Sequence, residues 1–237
     1  MLFWIIPLSL GVLSLSQFLY FRVKGRRLLA VILKGLTSLL FIDTALVAWL
    51  TNHNTQSMFG LYVVLGLFFG LLGDVFLDLK YMSETKADLF TRLGFIAFGI
   101  GHIFYLTGLF VCFYNFSSSV LYIIIPAIIS IVLVVLTLLM EKFTKIRYGN
   151  MKAFAVGYGL ILFFVTTMYF STCIQSGWQN NVVIIMAMSL IMFALSDLIL
   201  NNTYFAPGFN TPAFVISNHI CYYIAQFVIA ISLFFLV

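Results

Sequence analysis

The sequence predicts an all-α membrane protein of eight transmembrane helices, laid out as two four-helix halves in the same orientation. Three observations carry that expectation. The 237-residue chain is 63% hydrophobic and only 8% charged, more apolar surface than a soluble core could hide but ordinary for helices in lipid. Apolar runs of about 20 residues, enough to cross roughly 30 Å of hydrocarbon, recur along the whole chain. The basic residues fall almost entirely in alternate connections between those runs. Strands of a membrane barrel would alternate in hydropathy, and these runs do not.

The first run, Leu2–Phe21, has no basic stretch ahead of it and no small-residue cleavage site, so it is expected to be a retained helix rather than a signal peptide. Leu28–Leu50 follows after Arg22, Lys24, Arg26 and Arg27. Met58–Leu79 and Leu93–Tyr114 flank Lys80, Lys86 and Arg92, and Val120–Met140 and Ala153–Cys173 flank Lys142, Lys145, Arg147 and Lys152. Val182–Leu200 and Pro212–Val237 are joined by Asn201–Asn210. Of the 12 Lys and Arg, only Lys34 lies inside a run, and the connections Thr51–Ser57, Asn115–Ser119 and Ile174–Asn181 hold none. The positive-inside rule places the basic connections and Asn201–Asn210 in the cytoplasm and both termini outside. That bias accounts for the net charge of +5 without a nucleic-acid partner. The expected location is a bacterial inner membrane, or the endoplasmic reticulum in a eukaryotic host.

Two aspartates interrupt the apolar runs in similar settings, Gly73-Asp74-Val75-Phe76-Leu77 and Ser196-Asp197-Leu198-Ile199-Leu200. An ionised carboxylate in hydrocarbon costs several kcal/mol, so each needs a partner, water or a purpose. At roughly 1.5 Å per residue, Asp74 is expected about 8 Å, and Asp197 about 5 Å, from the cytoplasmic end of its helix. The match continues: Gly101-His102-Ile103-Phe104-Tyr105 precedes Phe110 as Asn218-His219-Ile220-Cys221-Tyr222 precedes Phe227, and Lys34-Gly35-Leu36 echoes Tyr158-Gly159-Leu160. A single membrane domain with an internal repeat, 1–115 and 120–237, is the simplest account.

Gly66, Gly70, Asp74 and Asp78 follow at four-residue spacing and share one helix face, where small residues admit a neighbouring backbone. Asp78, at the end of that helix, is expected to be solvated. Lys34 is expected to neutralise an Asp, reach the surface or meet a phosphate. Asn218, Tyr222 and Gln226 form a polar stripe on the last run, with His219 beside it, able to bind a polar ligand or to join helices. His102 and His219 fit either hydrogen-bonded core positions or a substrate-facing role. Asp43 is expected to pair locally, and Cys112, Cys173 and Cys221 to be core thiols. Asn115-Phe116-Ser117 reads as a glycosylation sequon, a triplet common by chance. No HExxH, GxSxG, P-loop or CxxC pattern occurs, which argues against a zinc protease, a serine hydrolase or an NTPase.

The two Asp segments, Lys34 and the closing Asn218-His219-Ile220-Cys221-Tyr222-Tyr223-Ile224-Ala225-Gln226 resemble the YhhN-like membrane proteins, the family that includes lysoplasmalogenases. The resemblance covers nearly the whole chain. It departs at Gly35, where a Pro is expected after the family's Lys. It implies hydrolysis of the vinyl ether of a lysoplasmalogen to a fatty aldehyde and a glycerophospho-base, with a lysophospholipid as substrate and lipid as surroundings. No metal or organic cofactor is implied. On this reading Asp74 and Asp197 are the catalytic acid and base, in unassigned order. Lys34, His102, Tyr158, Asn218, His219, Tyr222 and Gln226 contact substrate, and Asp78 and Ser196 support them. A transporter using the Asp pair as a proton relay, or a non-catalytic lipid-binding protein, would also use such residues. Oligomeric state is not legible.

Overall fold

The computed structural model describes residues 3–51 and 58–236. Its main helices are α1 (Ile5–Val23), α2 (Arg27–Leu50), α3 (Met58–Leu79), α4 (Ala87–Cys112), α5 (Leu121–Phe143), α6 (Lys152–Gln175), α7 (Asn181–Phe205) and α8 (Pro212–Ser232). Short 3-10 turns occupy Glu84–Lys86, Gly149–Met151 and Leu233–Phe235. All eight helices are long and apolar enough to cross a membrane, and no strand occurs among the described residues. The predicted class, an all-α protein of eight helices able to span a membrane, therefore holds. The connection expected at Thr51–Ser57 lies, from Asn52 on, outside the described residues, as do Leu2 and Val237 at the ends of the first and last runs.

Two helices outrun their apolar segments by more than a turn. The run at Leu93–Tyr114 starts late, because α4 begins at Ala87 with turns that hydropathy alone does not register. Asp88 in its first turn suits the positive end of the helix dipole. Expected to end at Leu200, α7 continues through Asn201–Phe205, half of the predicted loop. There the Asn202 amide donates to the Leu198 carbonyl (2.9 Å), and the Thr203 hydroxyl to that of Leu200 (2.8 Å). These side chains bond within the helix and so let polar residues prolong it beyond the apolar segment. Asp197 consequently lies about 12 Å from the end of its helix rather than 5 Å.

Conversely, Gly35 interrupts nothing: α2 runs unbroken through it. Pro126 does leave a defect, since it has no N–H for the Tyr122 carbonyl four residues back. The Ser171 hydroxyl of α6 donates to that carbonyl at 2.7 Å, which supplies the bond that lipid could not.

The chain divides into two compact units, 1–105 with 229–237, and 106–228. In the first, α1 packs on α2 and α2 on α3. The Ser14 and Thr37 hydroxyls share a hydrogen bond of 2.8 Å across the α1–α2 contact. On α3 and α4, Gly66 and Gly101 meet so closely that a Cβ on Gly101 would lie 2.8 Å from the Gly66 carbonyl oxygen. A side chain on Gly66 would run into the Tyr105 ring. The expected small-residue face of α3 is thus a contact face, and Gly66, Gly70, Asp74 and Asp78 are all buried on it.

In the second unit α5 packs on α6 and α6 on α7. At one end Lys152 pairs with Glu141 (2.5 Å), the Asn201 amide donates to the Tyr148 hydroxyl (2.6 Å), and the Arg147 N–H donates to the Phe205 carbonyl (2.7 Å). Ile146, Tyr148 and Ala206 form a small apolar cluster beneath these bonds. At the opposite ends of the helices Asn115 and Gln175 exchange two hydrogen bonds, of 2.9 and 3.1 Å. Much of the remaining α5 surface, including Ile124, Ile128, Ile131 and Val135, is exposed and apolar, as a lipid-facing helix requires.

Candidate active site

In the first unit, α2 and α3 face each other with polar residues at matching four-residue intervals. Lys34 and Ser38 stand one turn apart on α2, Asp74 and Asp78 one turn apart on α3. The Lys34 ammonium lies 3.2 Å from an Asp74 oxygen and 3.3 Å from an Asp78 oxygen. The Ser38 hydroxyl donates to the other Asp74 oxygen at 2.6 Å. Arg22, from the last turn of α1, pairs with the second oxygen of Asp78. Lys34, Asp74 and Asp78 are each at most 4% exposed. Burial of an unpaired charge at such a depth would cost several kcal/mol, and these cations and hydrogen bonds offset that cost.

One expectation changes here and another is narrowed. Asp78 is not solvated at its helix end: Arg22 and Lys34 reach it from α1 and α2 and enclose it. Of the roles expected of Lys34, neutralising an Asp is met and reaching the surface is not, because both of its carboxylate partners lie on the buried face of α3. Arg22 is the member that sequence reasoning missed. Within a basic cluster it reads as an orientation signal, and only the Phe18-to-Arg22 spacing, one turn apart, hints that it is held. Its guanidinium stands 5.5 Å from the Phe18 ring centroid.

The second unit holds Asp197 in a different way. Tyr158 on α6, the residue that echoes Lys34 in the sequence, donates its hydroxyl to Asp197 at 2.5 Å. Ser196 Oγ lies 3.4 Å from the other Asp197 oxygen but donates mainly to the Phe193 carbonyl, at 2.7 Å. Asp197 is only partly buried, whereas Asp74 is almost fully enclosed. In each unit, then, the donor at the echoed position of one helix meets the Asp of the next. That donor is an ammonium in the first unit and a phenol in the second.

The polar stripe on α8 makes one bond to a neighbouring helix and one within itself. The Asn218 amide donates to the Ser196 carbonyl at 2.6 Å and so anchors α8 to α7 beside Asp197. The Gln226 amide donates to the Tyr222 hydroxyl at 2.8 Å, and the Tyr222 ring packs edge-on against Phe193. His102 and His219 repeat one another: each Nδ1–H donates to the carbonyl four residues back, of Phe98 (2.8 Å) and of Val215 (2.7 Å). That bond fixes the ring and leaves Nε2 as the nitrogen turned away from its own backbone.

Asp43, expected to pair locally, has an exposed side chain on α2. None of the three cysteines is in a disulfide; Cys173 is fully buried and Cys112 and Cys221 are half-buried. Among the described residues no three His, Cys, Asp or Glu side chains gather into a metal-holding group.

No curated protein and no solved structure matches the chain. Residues 29–233, which include α3 and α7 with their aspartates, match the profile of the YhhN family. The chain therefore belongs to the YhhN family, which is the lysoplasmalogenase family.

Proposed function

We propose that this protein is a lysoplasmalogenase-type hydrolase that opens the vinyl ether of a lysoplasmalogen and releases a fatty aldehyde and a glycerophospho-base. A vinyl ether resists base and yields to acid. A proton delivered to its β-carbon makes an oxocarbenium ion, water adds at the cationic carbon, and the hemiacetal collapses to aldehyde and glycerol hydroxyl. The chemistry needs one carboxylic acid to give the proton and one carboxylate to steady the cation and take a proton from water, a division of labour familiar from glycosidases. We assign these roles to Asp197 and Asp74. An ion pair is made by the ionised forms of both partners, so Asp74, beside Lys34, is suited to the carboxylate role. The acid role then falls to Asp197, with Tyr158 positioning its carboxyl.

The observation that carries this reading is the matched placement of Lys34 on Asp74 and Tyr158 on Asp197 in a chain of the YhhN family. Asn218 and Ser196 support Asp197 through the α7–α8 bond. Tyr222, Gln226, His102 and His219 are assigned to shaping the substrate's surroundings. The substrate arrives from the bilayer as a single-chain lipid.

The test is aldehyde release from a lysoplasmalogen by the purified full chain, with Asp74→Asn and Asp197→Asn in parallel. A general acid or base is typically worth about 10²–10⁴ in rate, so each variant should lose at least about 100-fold while still folding and binding lipid. Wild-type protein that binds the lipid and releases no aldehyde would refute the hydrolase reading and leave a lipid-binding or transport role.

A further inference from the structure

Beside the carboxylates, the first unit gathers cations at the end where α1 and α3 finish and α2 begins. Arg22 is in the last turn of α1, Lys80 follows the last residue of α3, and Arg27 opens α2. They converge on Tyr81. The Arg22 guanidinium carbon lies 4.4 Å, and Lys80 Nζ 4.9 Å, from the centroid of the Tyr81 ring, and an Arg27 Nη–H donates to the Tyr81 carbonyl at 3.1 Å. The ring of Tyr81 thus holds Arg22 and Lys80 together despite their like charge, and its carbonyl holds Arg27 beside them.

One donor in this group is unsatisfied. Arg22 spends one terminal nitrogen on Asp78, but its Nε is buried with no hydrogen-bond partner. A buried N–H left unbonded is costly, so this one is a donor that an incoming acceptor would satisfy. Lys80 is also held at a cost. Burial pushes its ammonium well below the usual lysine range; Asp78 opposes that shift, and the Lys34 and Arg22 charges add to it. An anion arriving here would relieve both. Lys34, the cation that the sequence suggested for a phosphate, is already shared between Asp74 and Asp78.

We infer that Arg22 and Lys80, assembled around Tyr81, form a binding site for a phosphate oxyanion. The guanidinium supplies planar N–H donors that suit phosphate oxygens, its Nε–H among them, and the ammonium supplies a point charge. The site stands at the ends of membrane-spanning helices, the level at which lipid headgroups lie. In the hydrolase reading the oxyanion is the substrate's phosphodiester, and to that extent the inference rests on that reading. A free phosphate ion has the same chemistry and is separated from the headgroup below.

The experiment is equilibrium binding to the full chain in lipid nanodiscs. The probes are palmitoyl lysophosphatidylethanolamine, which has an ester and no vinyl ether, monopalmitoylglycerol, which has no phosphate, and inorganic phosphate as competitor. Arg22→Gln and Lys80→Gln should each weaken the phospholipid by about tenfold, the loss of a charge-assisted contact, and leave monopalmitoylglycerol unchanged, which also shows that the variants fold. Arg22→Lys should recover only part of the loss, because the planar donors are gone. Displacement of the phospholipid by inorganic phosphate at millimolar levels would assign the site to the free ion; no displacement would assign it to the headgroup. Unchanged phospholipid affinity in both glutamine variants, or equal loss for both lipids, overturns the inference. Aldehyde release is not read, so this site and the vinyl-ether chemistry stand or fall separately.

Discussion

At the residue scale, the most exposed dependency of the first unit is Asp78. It is the carboxylate that Arg22 and Lys34 share, and it is almost fully enclosed. Replacing it by Asn would leave two cations with Asp74 as the carboxylate described beside them. Breaking a buried pair by removing one partner costs about 3–5 kcal/mol, because the remaining charge stays buried. Asp78→Asn should therefore lower the thermal unfolding midpoint in detergent far more than Ser38→Ala, which deletes a single hydrogen bond to Asp74 worth about 1.5–3 kcal/mol. Equal effects of the two variants would mean that Asp78 is not the keystone of this network. The contrast also marks what the sequence could reveal. Asp74 was legible because an acid inside an apolar run demands a reason. Asp78 was misread as solvated because its position at a helix end is local information, whereas its partner Arg22 comes from another helix.

At the scale of elements, two glycines separate helix propensity from packing. Gly35, in the middle of α2, has room for a methyl group: an added Cβ would lie 3.9 Å from Val75 Cγ2, an ordinary contact. Gly35→Ala should stabilise the protein by up to about 1 kcal/mol, the helix-propensity difference between the two residues. On α4, Gly101 faces the Gly66 carbonyl, and a Cβ there would force backbone apart. Gly101→Ala should destabilise by about 1–3 kcal/mol, the usual cost of overpacking. Opposite signs in the same unfolding assay would confirm that α3 and α4 meet through glycine; a gain in both would place them farther apart. Helix existence was legible from apolar length, and Met58–Leu79 emerged with its predicted bounds. Helix ends were less so. Hydropathy reports where lipid stops, while α4 and α7 continue as long as backbone and side chains such as Asn202 and Thr203 find partners.

At the scale of the whole molecule, the distribution of basic residues argues for one orientation in the membrane. Lys and Arg cluster in the three connections named above, and a cation carried across the bilayer during insertion is costly, so those connections should stay in the cytoplasm. The prediction can be read with single cysteines in a background where Cys112, Cys173 and Cys221 are replaced. Lys24, Lys86 and Lys145 have exposed side chains, as do Ser117 and Gln179 in connections without basic residues. In intact cells a membrane-impermeant maleimide should label Ser117→Cys and Gln179→Cys at once, and Lys24→Cys, Lys86→Cys and Lys145→Cys only after permeabilisation. The reverse pattern would invert the protein and detach the phosphate site at Arg22 and Lys80 from the cytoplasmic leaflet. A mixed pattern among the three lysine positions would break the chain of alternating spans itself. The expected pattern would bring the proposed phosphate donors to the cytoplasmic headgroup layer, while Asp74, about 8 Å further along α3, would meet the first part of the lipid chain below it. A lysoplasmalogen presents its groups in that same order: the phosphate leads, and the vinyl ether follows one glycerol unit deeper.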